Sequence, residues 1–151
     1  MTIAFPDWLA ICETKARYCR LMDTKDWQGW ADCFVEDLVL DTSPAGGLRV
    51  EGRDAAVAYV RGAIEQARTA HQVHNPEIAL EPDGASARVV WAMNDRVEMA
   101  QDRQAAVGEV GHTGYGHYHE RYVRCPDGAW RIAETRLSYL QYDSRPLPSP
   151  G

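Results

Sequence analysis

A chain of 151 residues with 45% apolar and 25% charged residues has ordinary globular composition, enough for one domain with a real core. A net charge of −6 without any Lys/Arg block argues against a nucleic-acid surface, and no apolar run approaches the roughly 20 residues that span a bilayer. The opening MTIAFPDWLAICETK lacks a basic start followed by an apolar run, so a cytoplasmic location is expected, with Cys12, Cys19, Cys33 and Cys125 reduced.

In chain order, Asp7 to Met22 reads as a helix, with Pro6 suited to its first turn and an apolar stripe on Leu9, Cys12, Ala16 and Cys19. Trp8 and Ile11 widen that stripe. Asp23-Thr24 ends the helix, and a second, from Asp26 to about Phe34, carries Trp27, Trp30, Ala31 and Phe34 on one face. Glu36 to Thr42 alternates as a short strand, Ser43 to Gly47 is a turn, and Leu48 to Glu51 returns as a hairpin partner. A third helix follows, with Asp54 in its first turn and Val57, Val60, Ile64 and Ala67 carrying it to about Ala70.

The texture then changes. His71 to Leu80 is extended, and Pro76 marks an edge or a bulge. Ser86 to Glu98 is a long strand with Ala87, Val89, Trp91 and Met93 on one face and Arg88, Val90, Ala92 and Asn94 on the other. Ala100 to Gly111 reads as a polar loop, Thr113 to Arg124 and Trp130 to Tyr142 as strands, and Ser144 to Gly151 as a loose Pro-rich tail. Helices and strands are segregated, which predicts an α+β domain over residues 1–151 with helices on one face of an antiparallel sheet.

Two residues stand out for chemistry. Asp23 follows the first helix and His71 opens a strand, so a sheet curling over the helices would let them meet. A carboxylate holding one imidazole nitrogen leaves the other as a base near neutral pH. The plainer alternative is a helix-end cap and a satisfied polar histidine. Trp27, Trp30, Trp91 and Tyr139 suit either a pocket for a flat ligand or plain core. His117-x-His119 points two rings to one side of a strand, but no further ligand cluster follows, so no metal is expected; His117 is a candidate polar group at a pocket mouth.

Several stretches together carry a resemblance: R-Y-C-R-L-M-D-x-x-D-W-x-x-W-x-x-C-F, L-R-V-E-G-R-D-A, H-Q-V-H-N-P-E-I, G-x-Y-x-E-R-Y and G-A-W-R-I. In order and spacing, over residues 8 to 142, they resemble the SnoaL-like branch of the nuclear transport factor 2-like superfamily. The resemblance implies a cone-shaped α+β barrel, a curved antiparallel sheet wrapped round three helices, with an apolar pocket. It also implies a cofactor-independent lyase or isomerase, as in scytalone dehydratase, bile-acid 7α-dehydratase and hexachlorocyclohexane dehydrochlorinase, acting on a small hydrophobic ring compound. Carried over residue by residue, it implies Asp23 and His71 as the pair, Tyr18 as the hydrogen-bonding phenol and Arg136 as the anion-stabilising arginine. His74 stays open as the base, and Arg136 is open to a surface pairing with Glu134. Asn94, placed where some dehydratases carry a second carboxylate, implies a substrate-binding amide. Dimers or trimers are common among such relatives. The same fold also serves non-catalytic assembly modules such as dioxygenase β subunits, and cyclases or epoxide hydrolases.

Overall fold

The first helix, α1 (Phe5–Asp23), has a proline in its first turn and Arg20 in its last, where the charge favours the helix end. The structure is a computed structural model and describes residues 2–149. The buried face of α1 is Ile11, Thr14, Lys15, Tyr18, Cys19 and Met22. It is therefore rotated from the expected stripe: Leu9 is exposed, Ala16 faces solvent and Cys12 is only half-buried. The reason is Lys15, which is fully buried yet sits in the apolar stripe because Glu120 neutralises it.

The next helix, α2 (Trp27–Ala31), is one turn shorter than its aromatic spacing predicts. Asp26 caps it by accepting from the Gly29 N–H at 2.9 Å. Cys33 and Phe34 leave the helix because the Cys33 carbonyl accepts the Ile132 N–H, and strand β1 (Phe34–Asp41) starts there. A short turn leads to β2 (Arg49–Glu51) and then to α3 (Arg53–Ile64). Helix α3 stops before the expected Ala70, and β3 (Arg68–Leu80) starts early, since Arg68 already pairs with Glu98 across the sheet.

Strand β4 (Ser86–Glu98) has the expected bounds. The expected polar loop instead holds a helix, α4 (Gln101–Val107), closed by Gly108 at φ +79°, a left-handed geometry that suits glycine. Strands β5 (Glu109–Arg124) and β6 (Trp130–Pro146) are both longer than expected. Ser144 to Pro146, expected in a loose tail, belong to β6, which pairs with β5 as far as Glu109. Residues 150 and 151 lie outside the described residues.

The six strands form one sheet in the order β2-β1-β6-β5-β4-β3. All neighbours are antiparallel except β1 and β6, which run parallel, a departure from the wholly antiparallel expectation. Register breaks at Asn75–Pro76 in the edge strand β3 and three times between β5 and β6 bend the sheet. The sheet is thus curved and unclosed, with the helices on its concave side.

One end of that concave side is packed solid. Trp30, Phe34, Leu38, Trp91, Tyr122 and Ile132 are all buried there. Lys15 Nζ donates to Glu120 Oε1 at 2.6 Å and lies 3.7 and 3.6 Å from the ring centres of Tyr18 and Tyr118. Glu120 also accepts from Thr135 and from the Tyr122 hydroxyl, so no oxygen of this buried carboxylate is left without a donor.

Candidate active site

At the other end the concave side is hollow. A cavity of about 410 Å³ opens between α3, α4 and the ends of β3 to β6. Its apolar wall comes from Met22, Leu40, Val60, Ile64 and Leu137, its phenols from Tyr18, Tyr59, Tyr118, Tyr139 and Tyr142. Helix α3 buries only Ala56 fully, because Tyr59, Val60, Ala63 and Ile64 look into the cavity.

Asp23 is the last residue of α1, and its carboxylate meets the start of β3. Oδ2 accepts the His71 backbone N–H at 2.7 Å, and Oδ1 accepts Thr69 Oγ1 at 2.8 Å. His71 Nδ1 lies 2.7 Å from Oδ1. A carboxylate oxygen only accepts, so Nδ1 carries the proton and Nε2 of the neutral ring keeps a lone pair. His71 lines the cavity. Burial pushes the Asp23 carboxyl up, but the hydrogen bonds from the His71 ring and backbone, the ring's charge and the Thr69 hydroxyl outweigh it and hold the group below its ordinary value.

Directly across the β3–β4 ladder from His71 stands Asp95. It is 3% exposed; Oδ2 accepts the Tyr139 hydroxyl at 2.5 Å, and Oδ1 has no partner among the described residues. Gly114 makes room for both groups: a Cβ there would sit 2.3 Å from the Tyr139 ring and 2.5 Å from Asp95 Oδ1. A second acid–imidazole pair faces the same space. His112 Nδ1 is 2.8 Å from Glu109 Oε1, which also accepts the Tyr142 hydroxyl at 2.9 Å, while Ser144 Oγ donates to Oε2 at 2.5 Å. The His112 and Tyr142 rings stack at 4.5 Å. Burial raises the Glu109 carboxyl, but hydrogen bonds from Ser144, His112 and Tyr142 bring it below its ordinary value.

Tyr18 is buried at the inner end of the cavity, against Trp30, Phe34 and Tyr118. Burial, then the Glu120 charge, push its phenol far above the ordinary range, so it stays an O–H donor.

Of the residues singled out from sequence, Tyr18, His71 and Tyr139 line the cavity and Asp23 backs His71. The others do not. Trp30 and Trp91 are core, and Trp27 packs edge-on against Trp30. Asn94 alternates away from Met93 and Asp95 and faces the outer side of the sheet. His74 and His117 likewise alternate outward, and His74 is exposed. Arg136 lies between inward-facing Thr135 and Leu137 and is 62% exposed. Its partner is Asp41 at 3.7 Å, whereas Glu134 pairs with Arg121. Asp95 and His112 are the residues the sequence reading missed. Strand parity contained the signal for Asp95: it continues the face of Ala87, Val89, Trp91 and Met93. Among the described residues, no three His, Cys, Asp or Glu side chains gather as metal ligands, and no helix is long and apolar enough to cross a membrane.

Residues 5–136 match the SnoaL-like domain. The chain belongs to the SnoaL-like domain family. Comparison of this SnoaL-like chain with curated proteins finds no match. Among solved structures, a Mycobacterium tuberculosis protein of unknown function is 28% identical at a TM-score of 0.73, over 90% of this chain and 77% of that one. A scytalone dehydratase-like protein from Novosphingobium aromaticivorans is 21% identical at a TM-score of 0.77, over 96% and 95% of the two chains. The hexachlorocyclohexane dehydrochlorinase LinA, type 2, is 12% identical at a TM-score of 0.77, over 97% and 96%. The family match places the chain in the nuclear transport factor 2-like superfamily, and these structures share its fold.

Proposed function

We propose that this SnoaL-like protein is a cofactor-independent lyase of the dehydratase kind, acting on a small hydrophobic ring compound. The observation that carries the reading is the Asp23–His71 pair opening into an apolar cavity that Asp95, on the neighbouring strand, and His112 also line. Two structural neighbours are a scytalone dehydratase-like protein and a dehydrochlorinase, both named for eliminations.

In this reading His71 Nε2 takes a proton from the carbon beside a ring carbonyl. The electron pair of that C–H bond becomes a C=C bond as the neighbouring C–O bond breaks. The hydroxyl leaves as water, carrying off the proton that His71 Nε2 has just taken, so the His71 ring returns to its neutral form. Tyr18 donates a hydrogen bond to the carbonyl oxygen as negative charge grows on it. Asp23 keeps the His71 ring oriented and stabilises the imidazolium. Positioned acid–base groups of this kind contribute roughly 10²–10⁴-fold.

The test is proton exchange in D₂O on a panel of β-hydroxy ring ketones, followed by NMR. The protein should catalyse exchange at the carbon beside the carbonyl together with water loss, and His71→Ala should lose both. Full turnover by His71→Ala would refute the assignment. A second reading, addition of water by a cyclase- or hydrolase-like route, is favoured by the free Oδ1 of Asp95, which can hold a water. Incorporation of ¹⁸O from solvent into product would select it.

A further inference from the structure

We propose that the ligand of this cavity is an anionic ring compound, bound ring first, with its carboxylate held at the mouth by Arg103. The inference rests on the proposed function only in that the same cavity receives the substrate. Arg103 is on α4, the short helix that joins the ends of β4 and β5 beside the cavity mouth. It is the sole Lys or Arg among the described residues lining the cavity.

Arg103 also lacks a carboxylate. Arg49, Arg88, Arg121, Arg131 and Arg136 each lie within ion-pair distance of an acidic side chain; Arg103 does not, even with Asp102 beside it. Its helix is fixed to the strand end, since Gln104 Nε2 donates to the Met99 carbonyl at 3.2 Å. The guanidinium is thus presented at the rim with its donors free, and its planar fork matches a carboxylate.

The rest of the lining has the opposite sign: Asp41 and Asp95 are on the wall, and Asp23 and Glu109 stand behind His71 and His112. An anionic substituent is repelled by those acids and attracted by Arg103. The single cation among acids fixes which way round a ring compound enters, placing its uncharged end against His71, which Asp23 backs.

Calorimetric titration with 2-naphthoate and its neutral analogue 2-naphthamide tests this. The wild-type chain should bind the naphthoate about tenfold more tightly, the effect of one charge-assisted pair. Arg103→Gln should abolish the preference while leaving naphthamide affinity unchanged, which also shows that the variant is folded. Arg136→Gln, on the outer face, should keep the preference. His71→Ala should also keep it, so loss of catalysis and loss of anion recognition are read separately. The proposal is overturned if Arg103→Gln retains the preference, if the wild type binds both ligands equally, or if it binds neither.

Discussion

The two ends of the concave face use similar residues for opposite ends. At the closed end, aromatic rings interlock and the one ion pair, Lys15–Glu120, has every partner within the protein, while the neutral Trp30 and Trp91 indole N–H groups have none among the described residues. At the open end, aromatic residues are tyrosines that line a hollow, and the polar groups are only half-satisfied. Asp95 has an oxygen without a donor, and the His71 and His112 rings each spend one nitrogen on a carboxylate. Buried polar groups with no protein partner are costly unless something else binds there. The contrast separates stability from chemistry, and substitutions should divide the same way.

The largest expected effect is at the open end. His71→Ala should lower turnover about 10³-fold or more and cost less stability than Lys15→Met, since the ring borders a void and its Asp23 partner keeps the Thr69 and His71 backbone donors. A comparable loss of stability would show that His71 is a structural residue.

Next comes Lys15→Met at the closed end, which leaves Glu120 buried without its cation. Urea unfolding should show a loss of about 3–5 kcal/mol. Ile64→Ala, on the cavity wall, should cost about 1–2 kcal/mol, less than a filled core site loses. Equal costs would erase the distinction between the ends.

The smallest effect is a pH dependence. Asp23 has its folded pKa below the ordinary 3.8, so its stabilisation is fully present above that value and fades as pH falls through the lower, folded one. Glu109, below its ordinary 4.5, behaves alike. Unfolding free energy should therefore drop more between about pH 6 and about pH 3 in the wild type than in Asp23→Asn. Identical drops would contradict the assignment of the low pKa to the His71 contacts.

Much of this was legible in the sequence, and the failures have physical causes. Strand alternation fixed β4 to the residue, because a half-buried strand repeats every second position. The Asp23–His71 meeting followed from resemblance and from a strand expected to curl over the first helix. Parity also separates Asn94 from the site: Met93 and Asp95 share the inner face, which puts Asn94 on the outer one. The inward turn of Lys15 was hidden because its partner Glu120 lies on a distant strand. Helix α4 reads as a loop from sequence because its polar residues carry no apolar stripe and it is only seven residues long. The tryptophans misled most: spacing identified a helix face but not whether that face meets a void or a packed wall.

The central claim is that Asp23 holds His71 with Nε2 bare and open to the cavity. Nitrogen-15 NMR of the His71 ring tests it most directly. The account predicts a protonated Nδ1, an unprotonated Nε2, and an Nε2 resonance that moves when 2-naphthamide fills the cavity. A ring protonated on Nε2, or an Nε2 signal indifferent to the ligand, would contradict it.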